Sequence, residues 1–169
     1  MTLQDLQTMV DYHYWARDRM LDALELLAAD EYNRNIGGSF SSIRETATHI
    51  YAAEWAWYQR WRGESPTALL TGARFPELAD LRRAWTELEA QVRAFVDGLG
   101  DGGVSRIVEY KLLSGHAGAS PMWQMVQHVV NHASYHRGQI TTMLRQIGAQ
   151  PPKPLDMIAY YRIQSAGAR

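Results

Sequence analysis

The chain has 169 residues, of which 46% are hydrophobic and 21% charged, and its formal net charge is −1. Such a length fills one core but not comfortably two, so a single domain over residues 1–169 is expected, and the balanced charge gives no basic face for nucleic acid. No apolar run could span a bilayer, the opening MTLQDLQTMVDYHYW lacks a secretory layout, and the absence of cysteine excludes disulfides and thiolate ligands and fits a reducing cytoplasm.

Four segments repeat apolar residues at helical spacing. In residues 3–28, Leu3, Leu6, Val10, His13, Arg17, Met20, Leu24 and Leu27 alternate by three and four. In the second, from about 41 to 62, Ile43, Ala47, Ile50, Trp57 and Trp61 share a stripe, with serines suited to an N-cap before it and Gly63 after it. Residues 63–76 contain Gly63, Pro66, Gly72 and Pro76 and read as an irregular crossover. The third segment repeats Leu78, Leu81, Trp85, Leu88, Val92, Phe95 and Leu99. Residues 98–119 open on GLGDGG and then alternate Val104, Arg106, Val108 and Tyr110 against Ser105, Ile107, Glu109 and Lys111. That pattern suits a short strand or small hairpin between the third and fourth helices.

The fourth helix is expected to start at Ser120 as N-cap with Pro121 as first helical residue. It should end near Gly148, because the following QPPKP cannot continue it. The segment LDMIAYYRIQ then reads as a short C-terminal helix packed back on the body before a polar tail. Together these elements predict an all-α fold, a four-helix bundle with a small hairpin at one end.

The fourth helix carries HVVNHASYHRGQ, which places His128, His132 and His136 four residues apart. Residues at that spacing lie on one helix face about 6 Å apart, close enough for two imidazoles to share one ion with bonds of about 2.0–2.1 Å. The outer two are about 12 Å apart along the axis, so only one adjacent pair should bind. Projected against the stripe Val126, Val129, Ala133, Ile140, Leu144 and Ile147, His136 falls roughly 45°, His132 roughly 85° and His128 roughly 125° from its centre. The pair is therefore His132 and His136, and His128 points outward.

A third ligand must come from another element. His49 ranks first, because a mid-helix residue beside Ala52, Ala53 and Ala56 is rigidly held and leaves room for an ion. His13 ranks second, as a residue that could orient the site or face substrate, although a single histidine on an apolar face is more often a hydrogen-bonded core residue. His116, in a glycine-rich loop, ranks last. Arg137 projects to the buried side, where an unpaired guanidinium is costly. Glu45 and Asp18 are its candidate partners, with an anionic substrate as the alternative. Gly138 projects away from the stripe, where it is either merely tolerated or packed closely by the C-terminal segment or another subunit.

The string NHASYHRGQI, followed by MLRQIG, PP and DMIAYY, resembles the last core helix and tail of the DinB/YfiT-like family of metalloenzymes. The similarity extends to YHYWARDRML in the first segment and ATHIYAAEWAWYQRWRG in the second, in the same order over nearly the whole chain. It implies a four-helix bundle and a divalent metal held by three histidines, His49 from the second helix and His132 and His136 from the last core helix. A first-helix position often occupied by asparagine in the family carries His13 here. Family members are often dimers, so a homodimer is implied as well.

Three neutral imidazoles leave an ion with an open position, the layout of catalytic zinc sites. One divalent transition metal per chain is expected, zinc or nickel foremost and iron or manganese as alternatives. By analogy with relatives that use low-molecular-weight thiols, the leading expectation is an enzyme activating a small thiol for attack on an electrophile. Hydrolysis through metal-activated water competes with it, and Glu54, Tyr51 and Tyr135 are unranked candidates for a base. A third reading is a non-enzymatic dimeric stress-response or binding protein with a structural metal. Paired Glu-x-x-His motifs, HExxH and a Walker-type loop are all absent from the sequence, which excludes ferritin-like, zincin and P-loop chemistry.

Overall fold

The computed structural model describes residues 1–167. Helix α1 (Leu3–Leu24) begins with a capping box, in which the Thr2 hydroxyl accepts from the Asp5 amide and the Asp5 carboxylate accepts from the Thr2 amide. It stops four residues before the expected end at 28, because the chain turns there into α2 (Ala29–Asn33), which returns Tyr32 to the core. Helix α3 (Ile43–Trp61) starts where the serines predict, with the Ser42 hydroxyl accepting from the Glu45 amide at 3.2 Å. The crossover after Gly63 is irregular, as expected, apart from one 3-10 turn at Gly72–Arg74.

Helix α4 (Leu78–Asp97) buries Leu81, Trp85, Leu88 and Val92 of the stripe read from the sequence, and Val96 beside it, while Leu78, Phe95 and Leu99 of the stripe are partly buried against the core. The short α5 (Gly100–Val104) leads into an antiparallel hairpin of β1 (Ile107–Lys111) and β2 (Ala117–Pro121), paired from Ile107–Pro121 to Lys111–Ala117. The hairpin matches the alternation in residues 104–111, with Val108 buried and Ile107, Glu109 and Lys111 exposed. With this hairpin the fold is mostly helical with one small two-stranded sheet. One expectation is corrected, since Ser120 is not the N-cap of α6 (Met122–Gln146). Ser120 pairs with Val108 in the sheet and Pro121 takes the cap position, and the first amide of the helix, Met122 N–H, donates to the Arg106 carbonyl at 3.0 Å.

The four long helices pack side to side in a ring, α1 against α4, α4 against α3, α3 against α6 and α6 back against α1. Helices α1 and α3 therefore lie diagonally, which explains why a long connection joins them. The main core fills the ring. A second small cluster of Tyr12, Ala16, Val130 and Tyr160 fixes α7 (Met157–Gly167) to α1, with the Tyr12 hydroxyl donating to the Leu155 carbonyl at 2.9 Å. The C-terminal segment thus packs back on the body. Of the polar tail, Ala168 and Arg169 lie outside the described residues. Among the described residues no helix is long and apolar enough to cross a membrane.

Candidate metal centre

Helices α3 and α6 are neighbours in the ring, and their contact brings His49 of α3 to His132 and His136 of α6. The Nε2 atom of His132 lies 3.1 Å from Nε2 of His49 and 3.0 Å from Nε2 of His136. An ion held tetrahedrally with bonds of about 2.0–2.1 Å sets its nitrogens about 3.3 Å apart, so the spacing fits a shared ion closely. No ordinary side-chain contact calls for three imidazole nitrogens to converge. Among the described residues no fourth His, Asp or Glu joins the group. The donor set is three nitrogens with one direction left open.

Tautomer and charge favour the same reading. The Gln139 side-chain oxygen lies 2.7 Å from His136 Nδ1, accepting its proton and turning the Nε2 lone pair towards the cluster. Burial pushes His49 down from 6.5 to about 4, with help from the nearby His136 charge. Burial likewise lowers His132 to about 3, assisted by His136, His49 and His128. Both rings are neutral at physiological pH, as ligation by imidazole requires. Phe40 closes one side, its ring 4.3 Å from that of His49 and 5.6 Å from that of His136.

Beside the cluster lies a cavity of about 440 Å³ between the 36–40 loop and the outer face of α6. Gly37 and Gly38, at φ of 82° and 106°, give this loop a backbone that other residues rarely adopt, and so let Phe40 turn in over the histidines. The polar groups of the cavity come from Ser39, Thr46, Tyr135, Gln139, Thr142 and Gln146, and no carboxylate, histidine, lysine or arginine lines it.

The other candidates sit elsewhere. His128 is exposed and stacks edge-on against Trp57, as its projection predicted. His116 is exposed in the hairpin turn beside Ser114. His13 is buried, but its Nε2 bonds Glu54 Oε2 at 2.9 Å and does not reach the cluster. Glu54 also accepts from the Tyr14 hydroxyl and the Trp85 indole, both at 2.6 Å. Burial would raise the Glu54 carboxyl, yet the charge of His13 and the bonds from His13, Tyr14 and Trp85 hold it below its ordinary value. It is a saturated structural anchor and not a base for the site. Tyr51 packs against Phe75 and Trp85, whereas Tyr135 is exposed beside His136 and lines the cavity.

One further expectation changes. Arg137 is buried as predicted but pairs with neither Glu45 nor Asp18, whose partners are Arg44 and Arg17. Gly138 agrees with its reading as a tolerated glycine and is not packed by the C-terminal segment, since a Cβ placed there would meet nothing within 4 Å. The sequence reading also missed Phe40 and Gln139. Gln139 was legible in principle, because a side-chain acceptor three residues after a ligand histidine reaches its ring along the same helix face.

The fold and the histidine cluster define a class of helical proteins in which imidazoles from two adjacent long helices converge on one point. The chain belongs to the DinB family, whose model matches residues 1–166. It is 24% identical over 147 residues to Protein DinB of Bacillus subtilis strain 168, covering 83% of this chain and 84% of that protein. YfiT from Bacillus subtilis, described as a probable metal-dependent hydrolase with an unusual four-helix bundle topology, is similar in structure. It matches with a TM-score of 0.70 at 13% identity, over 89% of this chain and 91% of that one. A DinB-like protein from Bacillus cereus ATCC 10987 matches with a TM-score of 0.60 at 17% identity, over 86% and 95% of the two chains. At these identities the structural likeness speaks for the fold.

Proposed function

We propose that this four-helix bundle is a metal-dependent enzyme whose divalent ion is held by His49, His132 and His136 and whose substrates enter through the cavity beside Phe40. The observation that carries the reading is the convergence of three Nε2 atoms, 3.0–3.1 Å apart across His132, on a point next to a cavity of about 440 Å³. A bound divalent ion would supply Lewis acidity and stabilise a thiolate or hydroxide nucleophile. The protein's own part is to hold three neutral imidazoles in place, to fix the His136 tautomer through Gln139, and to shield one side with Phe40. A structural ion would be closed by a fourth ligand, and none of the described His, Asp or Glu residues supplies one.

Between the two nucleophiles, the uncharged cavity favours a small thiol. Hydrolysis also calls for a group to shuttle protons to the leaving group, and no carboxylate or histidine lines the cavity, Tyr135 being its one titratable side chain. A thiol bound as thiolate needs no such group once its proton has gone to solvent. Hydrolysis remains the second reading, supported by what is said of YfiT.

The test is metal content of the untagged protein by mass spectrometry, with His132→Ala and His128→Ala variants, followed by cobalt substitution and titration with 2-mercaptoethanol. About one equivalent of metal lost only in the His132 variant, and a thiolate-to-cobalt absorption band on adding thiol, are expected. Equal metal loss from both variants would overturn the ligand set. Metal binding without any thiol band would transfer the case to water as nucleophile.

A further inference from the structure

Helix α6 borders a second cavity, of about 660 Å³, formed with the proline-rich segment at 152–157. Its charged side chains are Arg137, Arg145 and Lys153, opposed by Asp156 alone. Arg137 is 2% exposed, and no carboxylate lies within ion-pair distance of it among the described residues. Its Nη2 donates to the Ser134 hydroxyl at 2.8 Å and its Nη1 lies 3.5 Å from His13 Nδ1, while Nε is buried with no partner at all. The Glu54 carboxylate lies beyond His13 and favours the Arg137 charge from a distance, but its oxygens are bonded to three other donors and not to the guanidinium.

The other buried arginines have fuller partners. Arg17, 3% exposed, is clasped by Asp18 and Glu89, and Arg60, 5% exposed, donates to the Lys111 carbonyl and lies over the Trp57 ring. A guanidinium taken out of water without a counter-ion is unfavourable, and the fork geometry of arginine suits carboxylate and phosphate oxygens. Arg145 and Lys153 add exposed positive charge at the mouth, and neither makes an ion pair among the described residues. A built cationic pocket is left with its anion still to come.

Gly138 belongs to the lining of this cavity and of the cavity beside the histidines. It is exposed, with free space where a Cβ would stand. A bare backbone at the ridge of α6 is the low crossing between the two. We propose that the two cavities are the ends of one groove over Gly138. The ligand is then a small molecule that carries a carboxylate or phosphate for Arg137, Arg145 and Lys153 at one end and its reacting group at the histidine cluster at the other. The second half of this statement rests on the metal-centre reading above, whereas the anion pocket does not.

Two arms test it on the full chain. In the first, inorganic phosphate is titrated calorimetrically into metal-free protein and into an Arg145→Gln/Lys153→Gln variant. Both substitutions are at exposed positions, so folding is preserved, and metal content after loading serves as the control. Phosphate should bind the wild type and lose at least about tenfold in affinity in the variant, with metal content unchanged. Absence of binding to the wild type at millimolar phosphate, or equal affinity in the variant, overturns the anion pocket while leaving the metal centre intact.

In the second arm, ω-mercaptoalkanoates of increasing length are compared with uncharged alkanethiols on cobalt-loaded protein. One chain length should bind at least about tenfold more tightly than its uncharged counterpart. Gly138→Val should abolish that advantage while sparing phosphate affinity. An advantage that survives the substitution, or no length preference at all, overturns the groove. If no thiol of either kind binds, the thiol reading of the metal centre falls together with the groove, and the phosphate arm still decides the anion pocket.

Discussion

Replacing Glu54 by glutamine should destabilise the protein more than any other single change of equal size, although Glu54 touches neither the histidine cluster nor either cavity wall beside it. Its carboxylate is 2% exposed and accepts from His13 and Tyr14 of α1 and from Trp85 of α4, while Glu54 itself stands on α3. Arg137 of α6 approaches the far side of His13, so one carboxylate links all four long helices. Glutamine keeps the volume but offers one carbonyl oxygen to three donors and turns an amide nitrogen towards the others. At least one buried donor is stranded, at about 1–3 kcal/mol, and the buried pair with His13 is broken, an effect of about 3–5 kcal/mol in comparable pairs. These figures overlap, and the expected loss is about 3–5 kcal/mol. With a urea slope of about 2 kcal/mol/M, the midpoint should fall by about 2 M. Trp85→Phe removes one donor, and combined with Glu54→Gln it should cost less than the sum of the two, because the stranded indole is then absent. A fall below about 1 kcal/mol for Glu54→Gln, or strict additivity of the pair, would mean that the network is not a buried, saturated unit.

The histidine cluster gives the metal-free protein a pH dependence of known sign. His49 and His132 are lowered from 6.5 to about 4 and about 3 by burial, so in the interval below 6.5 the unfolded chain binds more protons than the folded one. Stability is complete above pH 6.5 and drains as pH falls towards those folded values. Thermal midpoints measured from pH 8 to pH 4 should decline below about 6.5, and a His49→Gln/His132→Gln variant should decline less. Equal slopes would refute it. Gln139→Ala frees the Nδ1 proton of His136 from its acceptor, and zinc affinity by chelator competition should drop about 10–100-fold. Unchanged affinity would show that the ring is oriented by Phe40 and Tyr135 instead.

What was legible in the sequence follows from periodicity. The 3.6-residue repeat located the four long helices and placed His132 and His136 inward with His128 outside, which is where they lie. His49 is legible as a mid-helix histidine beside small residues, and it lies against His132 and His136. Non-local pairing was less legible. The start of α6 was misplaced because a sheet register, set by residues ten and more positions upstream, overrides a local capping signal at Ser120. Arg137 was correctly placed inside, but charge matching between helices requires their order around the ring, and Asp18 and Glu45 were taken by nearer arginines. Glu54 looked like a candidate base because type and helix position say nothing about the three donors that come from α1 and α4.

The consecutive residues His136 and Arg137 explain why one helix can serve two chemistries. Successive side chains on a helix point about 100° apart, so His136 faces α3 and the open cluster while Arg137 faces α1 and the buried network. The first must stay neutral to bind an ion and the second is always charged. Separating them by one residue keeps the guanidinium on the same rigid element as the imidazoles yet outside their group. A displacement of α6 along its axis would therefore move the metal ligands and the anion-facing charge together. The Glu54 network, which links α1, α3 and α4 and meets α6 at Arg137, is then what keeps these two features in register with the helices opposite.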